Sequence, residues 1–362
     1  METLSMFLAE LTQNLLPMWI YAVISILLIL FLVTLPFAGF ATYLERKVAA
    51  DLQARIGPNR VGPFGILQFI ADGLKLLMKE DIIPTNADKK LFILAPIIVI
   101  VGSFASFVTI PFAEKIIIAD LNIGLLYLVA VGSLVSLGII MGGWSSNNKW
   151  SLLGGMRSAA QIISYEIPGA LAALNVVLIV GSLSFGDIVK SQGPLNWFIF
   201  HNPFTFISFF IFFISALAEV NRTPFDIPEA ESEIIGGYHT EYSGMRFAIF
   251  FMAEYADIFV ICAITATLFL GGWYLPFIPL DSVSEPLRLV LQFGTVIVKV
   301  LLLFYVVMWL RWTLPRYRVD QLLAICWKFL TPLSFAMLLG TALWVLIFNG
   351  KSILQIFEAI IL

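Results

Sequence analysis

Residues 206–221 read FISFFIFFISALAEVN, and this apolar run decides the class of fold. Glu219 is the only charged residue in it, so most of the run gains free energy by leaving water. Similar runs of about 20 residues recur along the 362-residue chain, which is 60% hydrophobic and only 12% charged. A helix of that length crosses roughly 30 Å of hydrocarbon, and the runs lack the alternation of barrel strands. The sequence therefore predicts an all-α integral membrane protein.

Length and hydrophobic periodicity predict about eight transmembrane helices in one polytopic membrane domain over residues 1–362. The predicted spans lie near residues 18–44, 91–112, 121–143, 159–183, 203–220, 245–272, 286–310 and 328–348. The fifth is the shortest. Two loops between spans, 45–90 and 219–246, are expected to carry function.

The first of these loops contains the segment ILQFIADGLKLLMKEDIIP, residues 66–84. Its charged side chains, such as Asp72 and Lys75, recur at helical spacing on one stripe, and its Ile and Leu residues recur on another. This separation is typical of an amphipathic helix that lies along a membrane surface. We therefore expect a surface helix in the first loop.

Positive charge is distributed unequally between the two sides of the predicted bundle. Sixteen of the 21 Lys and Arg residues lie in the loops after spans 1, 3, 5 and 7. Cytoplasmic loops hold this excess in membrane proteins, so both termini are expected to face away from the cytoplasm or matrix. The first 17 residues contain no Lys or Arg and so lack the basic start of a cleavable signal. We expect a multi-pass protein of the bacterial cytoplasmic membrane with periplasmic termini, although an organellar chain would show the same charge pattern.

The Cys and His residues are too few and too dispersed for a redox centre. Cys262 and Cys326 are far apart in sequence, and the predicted topology places His201 and His239 on opposite sides of the membrane. An iron–sulfur cluster needs about four thiolates. The chain also lacks the phosphate-binding GxxxxGK[ST] and the dinucleotide-binding GxGxxG motifs. Any redox or nucleotide chemistry is therefore expected in a partner chain, and no nucleic-acid partner is indicated.

The segment RTPFDIPEAESE, residues 222–233, gathers acids directly after the fifth span. Between Glu219 and Arg246, six acidic residues stand against two arginines, a local balance of −4. A solvated acidic loop is one interpretation of such a charge run. The acids alternate with apolar residues and prolines, which favours a packed segment. Both interpretations remain open at this point.

Five ionisable residues fall within or at the ends of spans, namely Glu166, Glu219, Glu254, Asp257 and Lys299. A charge at mid-membrane costs a few kcal/mol, and such residues usually face a protein interior and mark an ion or proton path. A static Glu–Lys pair is the alternative, but one lysine cannot neutralise four carboxylates. We assign Glu166, Glu219, Glu254 and Lys299 to a predicted proton path. Asp257 ranks lowest because it lies near a span end.

Four stretches carry a resemblance to a known family. They cover residues 45–81, 155–172 (GMRSAAQIISYEIPGALA), 217–258 and 315–323 (PRYRVDQLL). They closely resemble the H subunit, or chain 1, of proton-pumping NADH:quinone oxidoreductase, which is respiratory complex I. Members of that family contain eight spans, anchor the hydrophilic arm and form the entrance of the quinone chamber. They also carry acids that lead towards the antiporter-like pump subunits.

The resemblance implies roles for particular residues. It implies that the quinone site is bordered by Arg46, Arg55, Asp72, Arg222, Phe225, Glu229, Glu231 and Glu233. It also places Glu166, Glu219 and Glu254 in the proton path, whereas Asp257 and His239 inherit no role.

The resemblance further implies a cofactor-free subunit of a proton-translocating enzyme. Its substrate would be a quinone, either ubiquinone or menaquinone, while FMN and iron–sulfur clusters would belong to partner subunits. The expected partners are hydrophilic quinone-site and iron–sulfur subunits, small membrane subunits, antiporter-like subunits and membrane lipid.

Two other functions stay open on the residues alone. Buried acids with a lysine also suit a stand-alone cation/proton antiporter, although no pair of broken helices in matched halves supports this. An anchor subunit of a membrane-bound hydrogenase-type complex is the nearer alternative. The motifs NRTPFDIPEAESE (221–233) and GPNRVGPFG (57–65) favour the quinone-reducing branch.

Overall fold

The computed structural model describes residues 3–12, 17–193, 196–228, 231–276, 283–353 and 355–356. Every regular element within these ranges is helical. In chain order the helices are α1 (Leu4–Leu11), α2 (Met18–Leu52), α3 (Gln68–Met78), α4 (Lys89–Thr109), α5 (Gly124–Ser145), α6 (Lys149–Val180), α7 (Phe185–Gln192), α8 (Pro203–Glu219), α9 (Glu231–Ile234), α10 (Gly244–Phe269), α11 (Glu285–Thr313) and α12 (Val319–Phe348). The predicted all-α class is confirmed.

Over the described ranges, seven helices are long and apolar enough to cross a membrane: α2, α4, α5, α6, α10, α11 and α12. The remaining predicted span, the fifth, corresponds to α8, an apolar helix of 17 residues. The structure thus agrees with the prediction of about eight spans, and the fifth is the shortest, as expected.

Three helices extend well beyond the spans predicted for them. Helix α2 continues to Leu52, so Glu45 and Arg46 lie on the helix rather than in a loop. Helix α6 begins at Lys149, ten residues before the predicted start of its span. Helix α12 likewise begins at Val319, nine residues before the predicted start of its span. Hydropathy marks only the part of a helix that can lie in hydrocarbon, whereas backbone hydrogen bonds continue as long as packing supports them. The predicted boundaries were therefore too short at these three ends.

Connections between helices meet on two opposite faces of the bundle. On one face, backbone or side-chain hydrogen bonds join Asp88 to Ser145, Glu80 to Ser243 and Pro224 to Tyr317. On the other face, backbone hydrogen bonds join Leu4 to Ile117, Leu125 to Leu183 and His201 to Ile353. The loops after α2, α5, α8 and α11 thus share one face, as alternating membrane passes require.

Helix α10 forms the centre of the bundle. All residues from 258 to 269 are buried, and the helix packs against α2, α4, α8 and α11. The ring of Phe259 lies 4.7 Å from that of Phe37 and 5.4 Å from that of Phe107. Side chains on α10 can therefore reach cavities on several sides of the bundle.

Prolines coincide with irregular helical turns. Helix α2 contains a π-turn at Leu30–Thr34, two residues before Pro36. Helix α12 contains another at Cys326–Leu330, two residues before Pro332. Proline has no backbone N–H to donate to the preceding turn, and such positions widen readily into π-turns.

Pro168 has a different consequence, because α6 continues through it. Its missing N–H leaves the carbonyl of Ser164 without the usual helical donor. The thiol of Cys326 donates to this carbonyl, with 3.1 Å between Sγ and O. The proline therefore joins α6 to α12 at this point.

The amphipathic helix predicted in the first loop is α3. It begins at Gln68, so Ile66 precedes it. The exposed apolar side chains Ile70, Leu74 and Leu77 follow one stripe of the helix. Arg46 on α2 bonds to Asp72 on α3, with 2.5 Å between Nη1 and Oδ2. This ion pair holds α3 beside the loop-side end of α2.

Candidate functional site

An arginine-rich cavity of about 250 Å³ opens where α2, α10 and α11 meet the loop after α8. It is lined by Thr42, Glu45, Arg46, Ala49, Arg55, Arg222, Phe251, Glu254, Tyr255, Arg311 and Trp312. Four arginines and two glutamates give the lining a net positive charge. Such a cavity can stabilise negative charge that develops inside it.

Arg222 connects the two glutamates of this cavity. Its Nη1 donates to both carboxylate oxygens of Glu45, at 3.1 Å and 3.2 Å. Its Nε lies 2.8 Å from Oε1 of Glu254. Only 3% of the Arg222 side chain is exposed, against 8% for Glu45 and 14% for Glu254. A buried guanidinium is therefore shared by two buried carboxylates from different helices.

Tyr255 and Arg311 complete this network. The Tyr255 hydroxyl donates to Oε2 of Glu45 at 2.7 Å, and Arg311 Nη1 bonds to Oε1 of Glu45. The Arg222 guanidinium also stacks over the Tyr255 ring, 4.7 Å from its centroid. Burial by itself lowers the pKa of Arg222, but Glu254 and Glu45 outweigh it and hold the pKa well above its ordinary value. Arg222 therefore stays charged.

Two nitrogens of Arg222, Nε and Nη2, are buried and make no hydrogen bond with the described residues. Nε still lies beside Glu254 as an ion pair, whereas Nη2 is left over. A buried donor without a partner costs about 1–3 kcal/mol. A ligand oxygen in the cavity would satisfy this donor.

A second, smaller cavity of about 110 Å³ lies among α5, α6, α8 and α10. Its lining includes three carboxylic acids, Glu166, Glu219 and Asp257. Gly169 allows α8 to approach α6 closely, because a Cβ there would lie 3.3 Å from Oε1 of Glu219. Ser103 on α4 donates to Asp257, with 2.8 Å between Oγ and Oδ2. We call this space the acid cavity, and the one around Arg222 the arginine cavity.

Helix α10 connects the two cavities. Glu254 lines the arginine cavity and Asp257 lines the acid cavity. Residues three apart in a helix lie on the same side, one turn apart. A change in charge at Glu254 therefore acts directly on the acid cavity.

The structure brings together only some of the predicted quinone-site residues. Arg46, Arg55 and Arg222 line the arginine cavity. Asp72 lies outside the lining, where it contacts Arg46. Phe225 is buried and packs against the rings of Tyr165 and Tyr317, at centroid distances of 5.6 Å and 6.0 Å.

The acidic loop is compensated by cations from distant parts of the chain. Asp226 pairs with Arg316 at 2.9 Å, and Glu233 pairs with Arg157 at 2.8 Å. Phe225 and other apolar residues of the loop are buried. The loop is thus packed rather than solvated over the residues described, and a charge count within the loop overstated its negative character.

Two predicted site residues receive no side-chain description. Glu229 lies outside the described residues. Glu231 begins α9, but its side chain lies outside the described part of the structure. Their predicted places beside the quinone stay predictions.

Among the described residues, Lys299 contacts backbone carbonyls and no carboxylate. Its ammonium donates to the carbonyls of Leu270, Gly272 and Tyr274 at 2.7–2.8 Å. It also lies 4.7 Å from the centroid of the Trp197 ring. The three carbonyls use all three ammonium protons and follow the C-terminal end of α10. Its predicted proton-path role therefore gains no support from these contacts.

Comparison with known proteins identifies the family. A family model described as NADH dehydrogenase matches residues 24–342. A curated protein of Anaeromyxobacter dehalogenans (strain 2CP-C), named as the H subunit of NADH-quinone oxidoreductase, is 48% identical over 341 residues, which cover 90% of this chain and 83% of that protein. The chain belongs to the H-subunit family of NADH-quinone oxidoreductase.

Other members of the H-subunit family match to a similar extent. The protein from Chlorobaculum tepidum (strain ATCC 49652 / DSM 12025 / NBRC 103806 / TLS) is 50% identical over 317 residues, covering 85% of this chain and 88% of that protein. The one from Brevibacillus brevis (strain 47 / JCM 6285 / NBRC 100599) is 48% identical over 338 residues, covering 92% and 97%. The family resemblance in the sequence is thereby confirmed. The chain is a membrane subunit of an oxidoreductase complex and works with the other subunits of that complex.

Sequence reasoning missed several residues of the candidate site in this H-subunit chain. Glu45 was not assigned to it, although it is the acid that Arg222, Tyr255 and Arg311 share. Arg311 lies near the end of a mostly apolar span, which is the usual place of an interfacial cation. Asp257 ranked lowest because of its position near a span end, yet it lines the acid cavity. The sequence offered one signal for Glu45: it is a glutamate directly after the predicted end of the first span.

Proposed function

We propose that this subunit binds a quinone at the arginine cavity and couples its reduction to proton translocation through the buried acids. The proposal rests mainly on the network in which Arg222 joins Glu45 to Glu254 in the cavity wall. The electrons reach the quinone from iron–sulfur and flavin centres of partner subunits. No redox centre of this chain takes part.

The arginine cavity suits a reduced quinone head group. Two electrons convert a quinone into a dianion until two protons bind to its oxygens. Arg46, Arg55, Arg222 and Arg311 provide positive charge around this space, and the buried Nη2 of Arg222 can donate to an oxygen. Charged donors in a site with little water stabilise such an anion strongly.

The same network can pass the charge change to the acids. A new negative charge near Arg222 competes with Glu254 for the guanidinium, and nearby negative charge favours the protonated form of a carboxyl group. Glu254 would then gain a proton as the quinone is reduced. Glu219 and Glu166 in the acid cavity would respond in turn, because the charge on one carboxyl group shifts the proton affinity of its neighbours.

We further propose that the hydrophilic arm docks on the face where the positively charged loops meet. The loops after α2, α5, α8 and α11 hold most of the Lys and Arg residues, so this face would be cytoplasmic and both termini periplasmic. The acidic loop of residues 222–233 would border the quinone tunnel beside that arm. Small membrane subunits and antiporter-like subunits would continue the proton path, and ubiquinone or menaquinone would enter from the lipid.

Replacing Glu254 by Gln in the assembled complex tests this function. Quinone reductase turnover and proton uptake into proteoliposomes should both fall by about 100-fold or more, the lower end of the losses expected for a proton-transfer group. Glu285→Gln is the matched control, because Glu285 pairs with Lys115 at the opposite end of the bundle. Unchanged turnover and pumping in Glu254→Gln would remove the proposal.

A further inference from the structure

We propose that Asp257 is a proton-relay residue that carries protons between Glu254 and the acid cavity. This inference rests on the proposed function and extends it to a residue that the family resemblance left without a role. Three observations carry it: the place of Asp257 on α10, its shared cavity, and the two hydrogen-bond arrangements open to its partner Ser103.

Asp257 occupies the position between the two groups of acids. Glu254, one turn earlier on α10, contacts Arg222 in the arginine cavity. Asp257 itself lines the acid cavity together with Glu219 and Glu166. Asp257 thus shares a helix side with Glu254 and a cavity with Glu219. The cavity of about 110 Å³ has room for several water molecules to complete the path.

Ser103 can satisfy Asp257 in either protonation state. The Ser103 Oγ lies 2.8 Å from Oδ2 of Asp257 and 3.1 Å from the carbonyl oxygen of Val99. A hydroxyl has one proton to donate, so it cannot donate to both acceptors at once. When Asp257 is ionised, Ser103 donates to the carboxylate. When Asp257 is protonated, it donates to Ser103, which then donates to Val99.

Rotation of one hydroxyl therefore exchanges the two states without moving a helix. In the relay, the carboxylate of Asp257 accepts a proton from Glu254, and the Ser103 hydroxyl turns towards Val99. Asp257 then releases that proton to the carboxylate of Glu219, and the hydroxyl turns back. One proton enters and one leaves, so the charge of Asp257 is restored.

A static role for Asp257 makes a different prediction. A hydrogen bond that only joins α10 to α4 needs a polar side chain of the right size at this position. Asn would supply one and keep the contact with Ser103, but it cannot bind and release a proton. Glu would keep the proton-binding group.

The test measures protons pumped per NADH oxidised by the complete complex in proteoliposomes. Asp257→Asn should lose most of the protons pumped per NADH, because Asn cannot bind and release a proton, with the complex assembled normally. Asp257→Glu should retain most of the wild-type pumping. Ser103→Ala should shift the pH profile of pumping, while Ser25→Ala should not, because the buried Ser25 hydroxyl on α2 donates to the Tyr21 carbonyl of its own helix and lines neither cavity.

Glu219→Gln, measured in parallel, separates the two proposals. If Glu219→Gln loses pumping while Asp257→Asn retains it, the relay role is wrong and the proposed function stands. If both variants pump normally, the proposed proton path fails and the relay fails with it. Equal loss in Asp257→Asn and Asp257→Glu would indicate a structural role and would also overturn the relay.

Discussion

Arg222 is the side chain on which the candidate site depends most. It is 3% exposed and lies against two carboxylates, Glu45 and Glu254. Removing one partner from a buried ion network leaves uncompensated charge, which costs about 3–5 kcal/mol. Arg222→Gln should therefore destabilise the subunit by roughly that amount, seen as a lower thermal transition of the purified complex.

The Arg157–Glu233 pair provides the matched control. Its side chains are 24% and 45% exposed, and pairs with this much solvent contribute at most about 1 kcal/mol. Arg157→Gln should therefore change the thermal transition temperature of the complex only slightly. Adding Glu45→Gln to Arg222→Gln should recover part of the lost stability. A shift in Arg222→Gln no larger than in Arg157→Gln would contradict the account of this network.

His239 gives a prediction about pH. It lies in the 3₁₀ turn Gly237–His239 against the rings of Phe247 and Tyr238, and burial lowers its pKa to about 4. The unfolded chain, with a histidine pKa of about 6.5, binds the proton more readily. Stability should therefore fall as pH decreases from about 6.5 towards 4, by roughly 2 kcal/mol between pH 7 and 5.

His239→Gln tests this, because it removes the titrating group. The thermal transition of the variant complex should depend less on pH over this interval than that of the wild type. Identical pH dependence in both proteins would show that His239 does not take up the proton on unfolding.

The pairing of charged residues was the least predictable part of the site. The sequence separates Arg222 from Glu45 by 177 residues and Arg311 from Glu45 by 266. Nothing in hydropathy or local spacing indicates which distant charges will meet. The intramembrane acids were predictable, since a carboxylate inside an apolar run stands out without any knowledge of its partner.

Packing between helices and loops depends on a few glycines. At Gly154 on α6, a Cβ would lie 2.7 Å from the Cα of Gly237 and the backbone nitrogen of Tyr238. No flexible side chain can move aside there. Gly154→Ala should therefore push the loop away from α6 and destabilise the subunit by about 1–3 kcal/mol, measured by the thermal transition of the complex.

Gly294→Ala is the control for this change. Gly294 also lies within a long helix, α11, but a Cβ there meets no atom within 4 Å. The thermal transition temperature of the Gly294→Ala complex should stay the same or rise slightly, because Ala has a higher helix propensity than Gly. Equal effects of the two substitutions would show that the close approach of α6 to the loop does not matter.

The helices themselves were largely predictable. Apolar runs located eight segments because a span must satisfy its backbone internally and expose apolar side chains to lipid. The C-terminal end of α2 and the starts of α6 and α12 were not predictable, since these helices extend beyond their apolar segments. The π-turns in α2 and α12 were indicated only by the prolines that follow them.

The whole chain is organised around α10, which lies between a positively charged cavity and an acidic one. Arg222 and Glu254 belong to the first, and Glu219 and Glu166 to the second. Under the proposed function, this arrangement would let the subunit respond to charge on a quinone. Coupling then requires that the carboxyl groups change protonation with the redox state of the quinone.

Infrared difference spectroscopy of the complete complex, comparing oxidised with reduced quinone, measures this requirement most directly. We expect carboxylic-acid C=O bands to appear or shift on reduction, and to be lost from the difference spectrum in Glu254→Gln and Glu219→Gln. Glu285→Gln should leave them unchanged. A difference spectrum without carboxyl signals that depend on Glu254 and Glu219 would contradict the coupling role.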